Sequence, residues 1–185
     1  PGKIRVCHVI TRFDKGGSAE NTFLSCRDLD KRRYEVWLVH GPSFESQMGE
    51  AERQATEQNL ATAREAGVHV VCLPSLLRSI APKRDLETLW TLYRLFRQIR
   101  PFIVHTHTSK AGLLGRWAAF LARVPVIVHT PHGHVFWGYF GPATTRLFIG
   151  LERFTARFTQ RLVMLTEQEK RDHLTVRIAP EDKFV

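Results

Sequence analysis

Two short apolar runs, separated by one amphipathic stretch, constrain this chain more than any other feature. Phe102–Val104 ends in His105-Thr106-His107, and Val126–Val128 ends in His129-Thr130-Pro131-His132. Between them, Ala111–Ala122 carries Leu113, Leu114, Trp117, Ala118 and Leu121 at helical spacing until Arg123-Val124-Pro125 stops it. A strand, a crossover helix and a second buried strand make a βαβ unit, whose strands are parallel and whose connection is right-handed. Both histidine segments then leave from one edge of the sheet. In open α/β sheets that carboxyl edge is where ligands bind.

The rest of the chain repeats the alternation. Lys3–Thr11 is β-rich and runs into Arg12-Phe13-Asp14-Lys15-Gly16-Gly17, after which Ser18 caps a helix over Ala19–Leu29. Tyr34–His40 is a second strand, Phe44–Ala66 a polar stretch that is mostly helical, and Val68–Leu73 a third strand between Gly67 and Pro74. Asp85 caps a helix over Leu86–Arg100, with Leu86, Leu89, Trp90, Leu92, Tyr93 and Phe96 on one face. Beyond the opening unit come an aromatic loop (His134–Gly141), a helix (Thr144–Gln160), a strand (Arg161–Thr166), a short helix (Glu167–Thr175) and the start of another strand in Arg177–Val185. About six βα repeats predict a Rossmann-like, doubly wound parallel sheet of six or seven strands, with helices on both faces. The expected order is 3-2-1-4-5-6, with a switch point between strands 1 and 4. This sets the Gly16-Gly17 loop beside His105–Lys110.

At 185 residues the chain fits one domain or at most a tight pair. No apolar run approaches the roughly 20 residues of a membrane span, so the expectation is a cytoplasmic protein, peripheral at most on the cytoplasmic membrane. The net charge of +9 favours anionic partners: phosphorylated small molecules or an anionic membrane surface. Nucleic acid is not expected, because no recognised binding module accompanies the charge. Cys7, Cys26 and Cys72 form no CxxC pair and read as buried free thiols.

Gly16-Gly17-Ser18 opens a helix, where backbone N–H groups free of side chains bind phosphate or another anion. The plain alternative is a tight turn that needs φ > 0. Neither the dinucleotide fingerprint G-x-G-x-x-G nor the P-loop pattern is present. His105 and His129 read as hydrogen-bonded strand residues; His107 and His132 lie one step further out and are preferred for sugar or phosphate contact. Thr108-Ser109-Lys110 starts a helix and forms either a second oxyanion cradle or a simple cap with a surface lysine. No carboxylate or thiolate stands at ligand spacing among the histidines, so no metal is expected. Nor is there a nucleophile motif or a glycosidase-type carboxylate pair. Phe136 and Trp137, with Arg146, Arg153 and Arg157 downstream, suggest a mixed aromatic and basic surface for membrane or lipid, against a helix that simply packs its apolar side inward.

Taken together, KIRVCHVITRFDKGGSAEN, IVHTHTSKAGLLGRWAAFLARVPVIVHTPHG, LERFTARFTQRLVMLTEQEKRDHL and IAPEDKFV resemble the N-terminal domain of retaining glycosyltransferases of the family-4 type. The likeness is greatest to the bacterial branch that builds polysaccharides or glycolipids on lipid carriers. Such enzymes have a GT-B architecture: an N-terminal Rossmann-like domain for the acceptor faces a C-terminal one for the nucleotide sugar. The resemblance implies that residues 1–178 are the acceptor domain, and that 179–185 begin the connection to a nucleotide-sugar domain acting in cis. It implies no cofactor, a nucleotide sugar as co-substrate, a carbohydrate or lipid-linked acceptor, and inactivity of this half alone. By position, Gly16, Gly17 and Ser18 match the loop approaching the donor phosphates and acceptor. His107, Thr108, Ser109, Lys110 and Gly133 match the acceptor side, and His132 matches the histidine that contacts the reacting sugar. Leaving-group stabilisation would be electrostatic, and whether His132 moves a proton or only orients the sugar stays open. The alternative is a stand-alone module that binds anionic lipid or carbohydrate without catalysis.

Overall fold

Apolar, largely β-branched runs pair edge to edge, and each is returned to the start of the next by a helix. The computed structural model describes residues 2–14, 16–43, 46–133 and 141–185. In order these form β1 (Ile4–Ile10), α1 (Gly17–Asp28), β2 (Tyr34–His40), α2 (Glu50–Glu65), β3 (Val68–Cys72), α3 (Pro82–Ile99) and β4 (Ile103–His107). There follow α4 (Ser109–Leu121), β5 (Val126–Thr130), α5 (Pro142–Ala156), β6 (Arg161–Leu162), α6 (Glu167–Thr175) and a 3₁₀ turn over Glu181–Lys183. The six strands are all parallel in the order β3-β2-β1-β4-β5-β6, as the connectivity rules require.

Register decides which residues share a face. His8 lies level with His105, Ile10 with His107, and His107 with Thr130. Alternation along each strand therefore puts His8, Ile10, His105, His107 and Thr130 on one side of the sheet. Val9, Val104, Thr106 and His129 point to the other. On the first face, Ile10, Val36 and Leu38 pack with Phe13, Phe23 and Cys26. On the second, Val9, Val104 and Ile127 pack with Leu92 and Phe96 of α3 and Ala111 and Ala118 of α4. Two glycines let α4 approach the sheet. A Cβ on Gly112 would stand 2.3 Å from Cε1 of His129, and one on Gly115 would stand 2.7 Å from Cγ2 of Thr106.

Several local expectations are corrected. Ser18 lies inside α1, whose N-cap is Gly16, and no side chain caps that end. Asp85 is not a cap but a first-turn residue: α3 begins at Pro82, where the fixed φ of proline suits a first turn. The Asp85 carboxylate reaches back to accept the Ala81 N–H at 3.2 Å. The strand expected over Arg161–Thr166 is only Arg161–Leu162. The seventh strand shrinks to a single bridge between Phe184 and Leu162, because Pro180 and the 3₁₀ turn occupy the chain before it. Cys7 and Cys26 are buried, but Cys72 is exposed at the end of the edge strand β3.

Candidate functional site

The ends of β1 and β4 stand side by side at the switch point, and a hydroxyl pair joins the loops that leave them. Thr11 Oγ1 and Thr108 Oγ1 are 2.9 Å apart, and Thr11 Oγ1 also accepts the Ala111 N–H of the first turn of α4 at 3.0 Å. Thr108 has φ 65 and ψ 163, a combination essentially confined to glycine and costly for a β-branched residue. The β5 end makes a second irregular turn, with φ 57 at His132 and φ 101 at Gly133.

Between these turns runs a string of imidazoles. His8 Nδ1 lies 3.1 Å from His107 Nε2, and His107 Nδ1 lies 3.0 Å from His132 Nε2. His107 is fully buried (0% exposed), whereas the sequence placed it toward the ligand side; its neighbours on both sides are histidines. His132 is half-buried and Gly133 exposed. His105 Nε2 bonds Thr130 Oγ1 at 2.8 Å, and His129 Nδ1 bonds Thr106 Oγ1 at 2.9 Å, so both are hydrogen-bonded strand residues. Burial pushes the His8 pKa down to about 4, with the charge of Lys31 adding to it. Burial also holds His105, His107 and His129 well below the ordinary imidazole value. His132 is lowered by burial, opposed by the nearby carboxylate of Glu169. At neutral pH the string is uncharged.

Glu169 supports the His132 turn from below. Its Oε1 accepts the Gly133 N–H at 2.8 Å and its Oε2 the Leu165 N–H at 3.0 Å, while Thr166 Oγ1 accepts the Glu169 N–H at 3.1 Å. The α6 cap thus holds the end of β5.

Across the switch point, Gly16 has φ −79 and Gly17 is not among the glycines with positive φ, so the tight-turn explanation of this pair fails. A Cβ on Gly17 would meet nothing within 4 Å. Asp14 anchors the loop, accepting the Gly16 N–H at 3.2 Å and the Ser46 hydroxyl at 2.8 Å. Ser18 stands in the first turn of α1. Among the described residues, the N–H groups of Gly17, Ser18, Ser109 and Lys110 meet no carbonyl or side chain, as the start of a helix dictates. The Lys110 ammonium is already held, by Asp85 Oδ1 at 2.5 Å and by the Ser79 carbonyl.

Of the five residues picked as a lipid-facing surface, Phe136 and Trp137 lie outside the described residues. Arg146 is exposed on α5. Arg153 donates to the Val176 carbonyl at 2.6 Å, and the Arg157 guanidinium sits 5.5 Å over the Phe154 ring.

His8, Thr11 and Glu169 were missed. His8 is the only one with a clear sequence signal: once β1 and β4 are neighbours, a histidine in β1 falls level with His105. Thr166-x-x-Glu169 has the form of a capping box, but nothing local shows that the carboxylate reaches Gly133. His8, His105 and His107 also bring one nitrogen each within 4.8 Å of one another, close enough to share a divalent cation. In this structure His8 and His107 instead share a hydrogen bond.

A doubly wound parallel sheet with its switch point between β1 and β4 defines a Rossmann-like domain. Residues 16–185 match the glycosyl transferase 4-like domain, and the chain belongs to that family. Over 103 residues it is 41% identical to the Escherichia coli UDP-Gal:alpha-D-GlcNAc-diphosphoundecaprenol alpha-1,3-galactosyltransferase, which covers 56% of this chain and 27% of that one. Over 107 residues it is 31% identical to the capsular polysaccharide biosynthesis glycosyltransferase CapM of Staphylococcus aureus, covering 58% and 28%. A glycosyltransferase structure from Rickettsia africae matches 100% of this chain and 42% of its own, with a TM-score of 0.64 at 14% identity. A UDP-N-acetylglucosamine 2-epimerase matches 99% and 47%, with a TM-score of 0.65 at 19% identity. The chain therefore spans less than half of these relatives. At such identities the structures show the fold alone, and the fold is shared by transferases and epimerases.

Proposed function

We propose that this chain is the acceptor-side domain of a retaining glycosyltransferase that moves a sugar from a nucleotide sugar to a lipid-linked or polysaccharide acceptor. The observation that carries the reading is the convergence of two open glycine turns at one sheet edge. Among the described residues, a Cβ on Gly17 or on Gly133 would meet nothing within 4 Å, and each turn is anchored by a carboxylate, Asp14 or Glu169. The free N–H groups of Gly17 and Ser18 suit an anionic oxygen, and those of Ser109 and Lys110 offer a second donor pair on the acceptor side. At the β5 end, beside the β4 loop, stands His132, a neutral imidazole bonded to His107. The named activities of the two curated relatives, a galactosyltransferase acting on a diphosphoundecaprenol-linked sugar and a capsular polysaccharide enzyme, agree with this substrate class. The donor is held mainly by a second domain in cis, and this half alone does not turn over. The test is transfer from radiolabelled UDP-sugars to undecaprenyl-diphosphate-linked sugar by the full-length protein. A full-length protein that releases UDP and a 2-epimer, without transfer, would sink the reading in favour of an epimerase.

Contact with the bilayer that carries such an acceptor belongs to the same reading. On α3 and α4, Leu86 (67% exposed), Trp90 (59%) and Leu121 (50%) line an apolar groove. Beside it a groove of about 540 Å³ is lined by Lys3, Arg5, Arg97, Arg100 and Arg123, and no carboxylate lines it. Exposed apolar groups flanked by cations suit an anionic lipid surface, where each basic residue contributes about 1 kcal/mol. On α5 Arg153 and Arg157 are engaged within the fold, as is Arg5 on this face, which donates to the Ile99 carbonyl; the exposed apolar groups beside the cations are what favour this face. Trp90→Ala with Arg97→Ser is expected to abolish sedimentation with phosphatidylglycerol vesicles; unchanged sedimentation, or equal binding to phosphatidylcholine, would count against it.

A further inference from the structure

The imidazole string has a direction, and the direction decides what His132 can do. A neutral imidazole carries one N–H and one bare nitrogen. His107 has both nitrogens engaged, Nε2 with His8 and Nδ1 with His132. Only two arrangements satisfy both bonds. Either all three rings are protonated on Nδ1, with protons pointing from His8 through His107 to His132, or all three are protonated on Nε2 and the protons point back.

The two ends break the tie. At the inner end, His8 Nε2 is buried and has no hydrogen-bond partner among the described residues. The backward arrangement would place an N–H there with no acceptor, which costs the full desolvation of that donor. Lys31, after α1, holds its ammonium on the carbonyls of Cys26 and Leu29, and its positive charge acts on His8, the inner ring of the string. At the outer end, the carboxylate of Glu169 acts on His132 with the opposite sign. Orphan avoidance selects protons pointing toward His132, and a positive charge acting on the inner ring with a negative one acting on the outer ring agrees with it.

We infer that His8 Nδ1–H donates to His107, His107 Nδ1–H donates to His132 Nε2, and His132 presents an N–H at Nδ1 to the cleft. His8 is then a positioning residue that acts through His107. His132 is a hydrogen-bond donor to a sugar or phosphate oxygen and, in this state, has no lone pair free to accept the proton of an attacking hydroxyl. The ligand role rests on the transferase reading; the tautomers do not.

The test is a long-range ¹H–¹⁵N spectrum of this chain with ¹⁵N-labelled histidine at pH 7.5. The expected result is a bare Nε2 and a protonated Nδ1 on His8, His107 and His132, the reverse of the form that predominates for histidine in water. Nε2–H on His107 and His132, or a doubly protonated ring at that pH, overturns the inference. His8→Asn puts an amide N–H where Nδ1 was and is expected to keep Nδ1–H on His132. His8→Leu removes the donor and is expected to let Nε2–H appear on His107 and His132; retention of pure Nδ1–H there would remove His8 from the role. The wild-type spectrum carries the test even where a variant fails to fold. A full-length protein that shows the expected tautomers and transfers no sugar would refute the proposed function and leave the string standing.

Discussion

Lowering the pH should unfold this domain through its histidines before its carboxylates titrate. His8 ionises near 6.5 in an unfolded chain and near 4 when folded. At 1.36 kcal/mol per unit, that difference is on the order of 3 kcal/mol for one side chain. The sign follows from proton counting. The unfolded chain takes up a proton below 6.5, whereas the folded protein takes it up only near 4. The contribution of His8 is therefore complete above pH 6.5, falls by about 1.4 kcal/mol per pH unit below it, and is gone near pH 4. His107 and His129 are buried and His105 half-buried, and all three are depressed in the same direction, so they steepen the fall; as close neighbours they titrate together. A domain of this kind has a total stability of about 5–15 kcal/mol, so a few such groups are enough to exhaust it. The depressed carboxylates Asp28 and Asp30 start from an ordinary value of 3.8 and act in a lower window. Urea unfolding at pH 7.5, 6.5, 5.5 and 4.5, at constant ionic strength, measures the slope. We expect little change above 6.5 and uptake of more than one proton on unfolding between 6 and 5, with His8→Asn reducing the uptake by about one. A stability that stays level from pH 7.5 to 5 would refute the reasoning, since it would mean that the buried rings are not excluded from protonation.

Three further outcomes follow from named contacts. Gly112→Ala should cost well over 1 kcal/mol in urea denaturation, although alanine favours helix, because its Cβ would stand 2.3 Å from the His129 ring. Arg116 is fully buried and pairs with Glu152 at 2.6 Å, so Glu152→Ala should destabilise by about 3–5 kcal/mol while Arg116→Met costs less; calorimetry of both variants reads the asymmetry. In the full-length protein, His132→Ala should lower kcat by about 100-fold, as for loss of one oriented donor, and His132→Asn, which keeps an N–H near the Nδ1 position, should recover part of it.

The fold was legible because its signals are local and repeated. Apolar runs stopped by Gly or Pro alternate with amphipathic helices, and the strand order then follows from handedness and connection rules. Boundaries were less legible where a long-range contact decides them. Asp85 looks like a cap in the sequence, but Pro82 begins the helix earlier and Asp85 turns to Ala81 and Lys110. Phe184 looks like a strand residue, but only one bridge forms because the preceding 3₁₀ turn uses the backbone differently. In the candidate site, the two histidine segments and the glycine loop were visible as motifs. Their partners His8, Thr11 and Glu169 were not, since each reaches the site across a strand pair or from a distant helix. The depth of His107 was also invisible: alternation gave its side of the sheet, but only the packing of neighbouring rings shows that it is covered.

Thr108 and His132 both hold backbone angles that ordinary side chains avoid, each in a loop at the carboxyl edge of the sheet. Such conformations cost about 1–3 kcal/mol apiece and persist because surrounding contacts enforce them. Glycine at either position would relax the backbone but lose the Thr11–Thr108 hydroxyl pair or the outer end of the imidazole string, where it would leave the buried His107 without a partner. Selection for backbone ease alone would therefore drift toward glycine at 108 and 132, and the relaxed protein would have given up the contacts that shape this edge of the sheet.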